Sequence, residues 1–120
     1  MRLPNIFQRE VTPFSVSAGK AIYSEGEPAT AMYVVQSGEV ELKFQGQSIE
    51  VLGPDGFFGE MALIDHGNRR ATAVAKTDCV IIPVSERHFL FMVEETPFFA
   101  LTVMRTMVVR LRRGVDVLKE

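Results

Sequence analysis

Apolar and polar residues alternate in short segments over the first two thirds of the chain. The clearest segment runs from Gly38 to Phe44, where Val40, Leu42 and Phe44 share one face and charged residues share the other. Six further segments rich in Val, Ile, Tyr and Phe are predicted as strands: Pro13–Val16, Ala21–Ser24, Ala31–Val35, Ser48–Leu52, Arg70–Ala75 and Asp78–Val84. With one more strand ending at Gly59, this pattern predicts an eight-stranded antiparallel jelly-roll barrel, a mainly β fold.

The spacing of apolar residues becomes helical after Val84. Ser85 is predicted to cap a short helix from Glu86 to Glu95. Thr96 and Pro97 are predicted to begin a second helix that runs from Phe98 to about Leu118. The expected architecture is therefore a barrel with two helices at its C-terminal end.

The second helix has two apolar edges. One is a heptad seam whose residues are spaced alternately by three and four: Leu101, Met104, Val108, Leu111, Val115 and Leu118. The other edge consists of Phe99, Val103 and Met107. We interpret one edge as packing on the barrel and the seam Leu101–Leu118 as a homodimer or partner-protein contact. A single broad stripe packed against the barrel is the alternative.

The length and composition indicate one globular domain. The 120 residues are predicted to comprise a barrel over about 12–84 and helices over about 86–95 and 97–118. Hydrophobic residues make up 47% and charged residues 23%, as in soluble globular proteins. The sequence has no apolar stretch of membrane-spanning length and no signal-type segment, so we expect a cytoplasmic protein with no membrane association. One cysteine and two histidines offer no disulfide and no metal centre.

Positive charge is concentrated near the C-terminus. Residues 98–120 contain five basic and two acidic residues, although the whole chain has a net charge of −2. Such a segment can bind nucleic acid. We favour a helix whose basic residues complement the helix dipole and the acidic remainder of the domain, and we expect no direct contact with nucleic acid.

The segment from Phe57 to Ala75 contains the candidate chemistry. Gly59 allows close approach to the backbone, and the following Glu60–Leu63 can form one helical turn whose first N–H groups face an anion. Arg69, predicted to begin the returning strand, can hold the same anion. A carboxylate at Glu60 suits a neutral donor such as a sugar hydroxyl, so Glu60 and Arg69 together describe a ribose phosphate site.

This segment resembles the phosphate-binding cassette of the cyclic nucleotide-binding domain family, which includes bacterial catabolite activators, protein kinase regulatory subunits and gated channels. The match lies in Phe58–Leu63, Arg69, Ala71 and Thr72, and the resemblance extends over about residues 12–113. It implies that Arg69 binds the cyclic phosphate and that Glu60 accepts the ribose 2′-hydroxyl. The backbone N–H groups of Met61, Ala62 and the residue after Arg69 would complete the phosphate site, and the last helix would close over the base. The implied ligand-binding residues are Phe58, Gly59, Glu60, Met61, Ala62, Arg69, Arg70, Ala71 and Thr72.

The sequence departs from the family pattern at several positions. Arg70 replaces a small or hydroxyl residue and could contact phosphate, crowd the base or point outward; strand alternation favours the outward direction. Gly114 and Val115 stand where catabolite activators have adenine-binding hydroxyls. We interpret the N-terminal helix of the family as reduced to about ten residues around Ile6 and Phe7, and we expect no DNA-reading domain after the last helix.

The resemblance implies a non-catalytic sensor that binds cyclic AMP, with cyclic GMP as the alternative ligand and no cofactor. A cupin-like enzyme would need clustered histidine and carboxylate ligands, whereas His66 is predicted in a turn and His88 in a helix. The alternative is a degenerate family member in which Glu60 merely pairs with Arg69 in an empty pocket. Such a chain would act only as a dimerisation or interaction module.

Overall fold

The computed structural model describes the backbone of residues 12–119 and the side chains of residues 12–113. These residues form eight strands and three helices, joined by turns and loops. In chain order the elements are β1 (Phe14–Val16), β2 (Ala21–Tyr23), β3 (Ala31–Ser37), β4 (Val40–Phe44), β5 (Gln47–Leu52), β6 (Phe57–Phe58), α1 (Met61–Asp65), β7 (Thr72–Ala75), β8 (Cys79–Ser85), α2 (Glu86–Glu95) and α3 (Phe98–Lys119). One antiparallel sheet has the order β1-β8-β3-β6 and the other β2-β7-β4-β5. The mainly β jelly-roll prediction is confirmed.

Strands β3 and β8 are buried on both faces, which explains their nearly continuous apolar sequence. On one face, Val34 and Ile82 pack with residues of all three helices. On the other face, Val35 and Ile81 pack with residues of the second sheet. The first sheet therefore lies between the helices and the interior of the barrel.

The strand that follows α1 is shorter than predicted. It begins at Thr72, so the prediction that Arg69 starts it is wrong. The backbone of Arg69 bonds instead to the turn after β2: its N–H donates to the Glu27 carbonyl at 2.8 Å, and its carbonyl accepts from the Gly26 N–H at 2.8 Å. These bonds hold the Arg69 backbone against the turn that connects β2 to β3.

The Ser85 cap and the two faces of α3 agree with the predictions from the sequence. The Ser85 hydroxyl accepts from the His88 N–H. Along α3, Phe99 and Val103 are buried and Met107 packs beside them. The described residues of the seam are exposed, at 38% for Leu101, 53% for Met104, 44% for Val108 and 62% for Leu111. A single stripe packed on the barrel is therefore excluded over residues 98–113.

Some sequence predictions concern positions outside this description. The N-terminal residues Ile6 and Phe7 lie outside the described residues, as do the side chains of Gly114, Val115 and Leu118. Within residues 12–119, no helix is long and apolar enough to cross a membrane.

Candidate functional site

The turn between β6 and α1 requires glycine. Gly59 has a φ of +76°, a conformation that residues with a Cβ rarely adopt. A Cβ at this position would lie 2.7 Å from Arg69 Nη1 and 3.4 Å from the Tyr23 hydroxyl oxygen. The missing side chain at Gly59 thus leaves the space that the Arg69 guanidinium occupies.

Arg69 is buried at 8% exposure among groups that do not neutralise it. Its Nη2 donates to the Ala31 carbonyl at 2.7 Å and its Nη1 to the Gly59 carbonyl at 3.3 Å. Its Nε is buried and has no hydrogen-bond partner. Among the described residues, no carboxylate lies within ion-pair distance of Arg69. The guanidinium therefore keeps a buried, uncompensated positive charge and one unused donor.

Glu60 is buried at 4% exposure and pairs with α3 rather than with Arg69. Arg110 Nη1 donates to Glu60 Oε1 at 2.6 Å, and Arg110 Nη2 donates to the Phe57 carbonyl. The alternative in which Glu60 pairs with Arg69 is wrong, because Arg110 reaches the carboxylate from the opposite element. Two cations flank this turn, and only one of them is matched by Glu60.

A second carboxylate holds the other side of Arg110. Glu50 of β5 accepts from Arg110 Nε at 3.0 Å and pairs with Arg113 at 3.3 Å. The side chain of Glu50 is 17% exposed, while its apolar neighbours Ile49 and Val51 are 46% and 42% exposed. The usual strand pattern is thus inverted on β5, because the inward position carries a carboxylate that two arginines of α3 require.

These contacts set the charge state of Arg110. Burial alone would lower the pKa of its guanidinium, but the charges and hydrogen bonds of Glu60 and Glu50 raise that pKa above its ordinary value. Arg110 is therefore permanently charged, and the Glu60–Arg110–Glu50 group acts as a fixed ionic bridge from the barrel to α3.

Arg70 belongs to a separate surface contact. Its side chain is 69% exposed, and Nη2 donates to Asp65 Oδ2 at 2.7 Å. Asp65 also accepts from the Gly67 N–H at 2.9 Å. Bonds from Gly67 and Arg70 hold the pKa of the Asp65 carboxyl below its usual range. Arg70 does point outward, but it stabilises the loop after α1 and does not lie on a strand as the prediction assumed.

The other predicted site residues lie around the same turn. Phe58 is fully buried beneath it, and Ala62 is buried in α1. Met61 and Ala71 are half-buried, and the Thr72 hydroxyl accepts from the Glu25 N–H at 3.1 Å. The Ala62 N–H already donates to the Gly59 carbonyl at 3.2 Å. The expectation that the N–H of Ala62 faces outward without an internal partner is therefore wrong, because the first turn of α1 closes on Gly59.

Arg110 and Glu50 are the site residues that the sequence reasoning missed. Arg110 follows Phe99, Val103 and Met107 at helical spacing, so it continues the edge of α3 that packs on the barrel. A charged residue on a buried helical edge requires a buried counter-ion. The helix dipole and general packing on an acidic body, which the charge pattern suggests for the basic residues of this helix, do not account for Arg110.

Comparison with known proteins gives consistent matches over most of the chain. Residues 13–96 match the model of the cyclic nucleotide-binding domain family. The "Cyclic AMP receptor protein" of Thermus thermophilus is 34% identical over 113 residues, which are 90% of this chain and 50% of the relative. This chain therefore spans about half the length of that relative.

Two solved structures show the same architecture. The catabolite activator protein of Thermus thermophilus superposes with a TM-score of 0.82 at 29% identity, over 96% of this chain and 58% of that one. A protein from a cyclic-GMP-dependent signalling pathway of bacterial phytopathogenesis superposes with a TM-score of 0.74 at 30% identity, over 88% of this chain and 87% of that one.

Proposed function

This chain belongs to the cyclic nucleotide-binding domain family, and from the geometry of its site we propose that it binds a cyclic nucleotide, without catalysis, as a sensor domain. The proposed contacts are Arg69 to the cyclic phosphate and Glu60 to the ribose 2′-hydroxyl. Gly59 and Met61 would approach the phosphate through their backbone, and Phe58, Ala62, Ala71 and Thr72 would support the pocket. The Arg70 side chain, bonded to Asp65, is outside the proposed contact set, whereas the backbone N–H of Arg70 stays a proposed donor to the phosphate.

The observation that carries the proposal is the uncompensated charge of Arg69. A buried cation without a counter-ion is costly unless something anionic completes it. The guanidinium is held by two carbonyls, and its Nε is unused. A singly charged cyclic phosphodiester would supply both the missing charge and an acceptor for that donor.

The pairing of Glu60 supports its role toward a neutral hydroxyl. Arg110 fixes the carboxylate through Oε1 and balances its charge. A carboxylate with a balanced charge still accepts from a hydroxyl, but it is poorly suited to act as a general base. This supports binding rather than catalysis.

Cyclic AMP is the proposed ligand, with cyclic GMP as the competitor. The name of the Thermus thermophilus relative, which covers 90% of this chain, favours cyclic AMP. The resemblance to a protein of a cyclic-GMP-dependent pathway is the reason that cyclic GMP stays the alternative ligand. Arg70 points outward and offers no guanine-selective hydroxyl.

Association through α3 is the proposed route of signal output. The exposed face formed by Leu101, Met104, Val108 and Leu111 continues the heptad spacing that the sequence analysis identified. Arg110 lies between these residues along the same helix and contacts Glu60 and Glu50. A ligand that rearranges Glu60 would therefore shift α3 and the association of its exposed face, provided that the two helix positions differ in affinity for nucleotide. We propose a homodimer formed by this face, in a cytoplasmic setting.

Matched arginine variants test the binding site. Arg69→Ala should reduce the free energy of cyclic AMP binding by on the order of 2–5 kcal/mol, because it removes a buried charge partner of the phosphate. Arg70→Ala is the control, since it removes the adjacent arginine, which the structure places in solvent. Glu60→Gln should cost less than Arg69→Ala, because an amide oxygen still accepts from a hydroxyl. Equal affinities of the Arg69 and Arg70 variants would refute the assignment.

A second function is favoured if the unmodified chain binds no nucleotide. Glu60 is already paired with Arg110, and two backbone carbonyls already hold Arg69, so both side chains have structural partners without a ligand. The chain would then act only through α3, as a dimerisation or interaction module. Titration of the unmodified chain distinguishes the two functions.

A further inference from the structure

An aromatic side chain supports the Arg69 guanidinium. The guanidinium carbon lies 4.1 Å from the centre of the Tyr23 ring and 5.4 Å from that of Tyr33. The Tyr23 ring packs in turn against Tyr33 at 6.0 Å and Phe58 at 5.9 Å between ring centres. Tyr23 is therefore a rigid, buried surface on which the cation lies.

This arrangement holds Arg69 without neutralising it. A carboxylate partner would fix the guanidinium but would also cancel the charge that an anionic ligand needs. An aromatic ring attracts the cation through its quadrupole and carries no net charge. The remaining contacts of Arg69 are the carbonyls of Ala31 and Gly59, which are also uncharged.

The charge state of Tyr23 is consistent with this role. Burial raises the pKa of its hydroxyl to about 12, and the charge of Arg69 opposes the rise only in part. The ring is therefore neutral at every physiological pH. A tyrosinate at this position would pair with Arg69 and remove its free charge.

We infer that Tyr23 is a positioning residue that holds the Arg69 guanidinium in place for an anionic ligand while leaving its charge uncompensated. The inference rests on the proposed function of the same site and adds a residue to it. Tyr23 lies on β2, outside the segment from Phe57 to Ala75 in which the other proposed contacts lie. Its ring, rather than its hydroxyl, is the part that acts.

Ring-preserving and ring-removing variants test the inference by titration with cyclic AMP. Tyr23→Phe keeps the ring and should bind within about twofold of the unmodified chain, whereas Tyr23→Leu should bind about 5- to 20-fold more weakly, as expected for loss of a desolvated cation–π contact. Tyr33→Leu removes a neighbouring ring that is farther from the cation, and its affinity should change by less than about threefold. Tyr23→Met provides a second ringless side chain if the Leu variant does not fold by circular dichroism.

A measurement without ligand separates this inference from the proposed function. The Nε–H resonance of Arg69 in a ¹⁵N-labelled sample should show a ring-current shift in the unmodified chain and in Tyr23→Phe, and should lose it in the ringless variants. If the unmodified chain binds no nucleotide but shows this difference, the proposed function fails and the positioning by Tyr23 stands.

Two results would overturn the inference while leaving the proposed function intact. One is an unmodified chain that binds cyclic AMP, with a folded ringless variant that binds it equally well. The other is an Arg69 resonance that is the same with and without the Tyr23 ring.

Discussion

Arg110 Nη1 donates to Glu60 Oε1 at 2.6 Å and joins helix α3 to the turn before α1 across 50 residues of sequence. The pair is well buried, with 17% and 6% of the two side chains exposed. Because Arg110 also bonds to Glu50 of β5, a single side chain connects the candidate site, the edge of the second sheet and the helix with the exposed apolar face. Any rearrangement of Glu60 must therefore alter the contacts that hold α3 through Arg110.

The first prediction concerns the stability that this bridge provides. Arg110→Met should lower the free energy of unfolding by about 3–5 kcal/mol, because it leaves Glu60 as a buried charge without a counter-ion. Arg112→Met on the exposed side of α3 is the control, and it should change the free energy of unfolding by less than about 0.5 kcal/mol. Urea denaturation compares the two variants. Equal stabilities would mean that Arg110 does not bridge to Glu60 in solution.

The order and faces of the main elements were predictable because local rules decide them. Ser85 caps α2 because its hydroxyl accepts from a backbone N–H of the first helical turn. The helical spacing along α3 separates Val103, which is buried, from Met104, which is exposed. Close approach of a ligand to the Gly59 backbone stays a prediction, because in the structure the Arg69 guanidinium lies in the space beside this glycine.

The partners in the site were less predictable because they come from distant segments. Strand alternation on β5 would place Ile49 and Val51 inward, yet Glu50 takes the inward position because arginines of α3 contact it. The start of β7 was misplaced because the Arg69 backbone bonds to the turn at Gly26 and Glu27. Tyr23 could be predicted as a strand residue, but its contact with Arg69 depends on how β2 meets that turn.

The second prediction uses two glycines with the same backbone conformation. Gly59 and Gly46 have φ values of +76° and +80°, but a Cβ at Gly46 would meet nothing within 4 Å. Gly46→Ala should therefore lower the free energy of unfolding by about 1–2 kcal/mol, because the alanine is strained by its left-handed backbone conformation but meets no steric clash. Gly59→Ala should cost at least as much and should also weaken cyclic AMP binding by about 10- to 100-fold, because the methyl group displaces the charge-assisted contacts of Arg69. Calorimetric titration of both variants measures the difference, and equal affinities would contradict the close approach at Gly59.

The third prediction is a dependence of stability on alkaline pH. The Tyr23 hydroxyl has a pKa of about 12 in the folded chain, compared with an ordinary value near 10. The folded state therefore binds more protons than the unfolded state between these values, and stability falls as the pH rises through this window. The loss attributable to Tyr23 should reach about 2 kcal/mol by pH 12.

Tyr23→Phe provides the comparison for this pH dependence. Chemical denaturation of the unmodified chain and this variant from pH 9 to pH 12 should give curves that diverge only above pH 10. Parallel curves would mean that the hydroxyl ionises equally in both states and is not desolvated by folding.

The fourth prediction concerns the exposed face of α3. Replacing both Met104 and Leu111 by Glu should abolish self-association and leave nucleotide affinity nearly unchanged, because both side chains point away from the barrel. Leu90→Glu is the control, since it places a carboxylate on an exposed apolar residue of α2, with 58% exposure. Sedimentation with and without cyclic AMP measures the association. An unmodified chain that is monomeric at high concentration under both conditions would refute the homodimer.

Isothermal titration of the unmodified chain with cyclic AMP, cyclic GMP and 5′-AMP tests the central claim most directly. A buried Arg69 with one unused donor predicts saturable binding of one cyclic nucleotide per chain. The proposed preference for cyclic AMP, which rests on the Thermus thermophilus relative, predicts tighter binding of cyclic AMP than of cyclic GMP. The doubly charged 5′-AMP should bind more weakly than either, because the site offers one uncompensated charge. Heats that show no saturable binding of either cyclic nucleotide at millimolar concentration would contradict the claim.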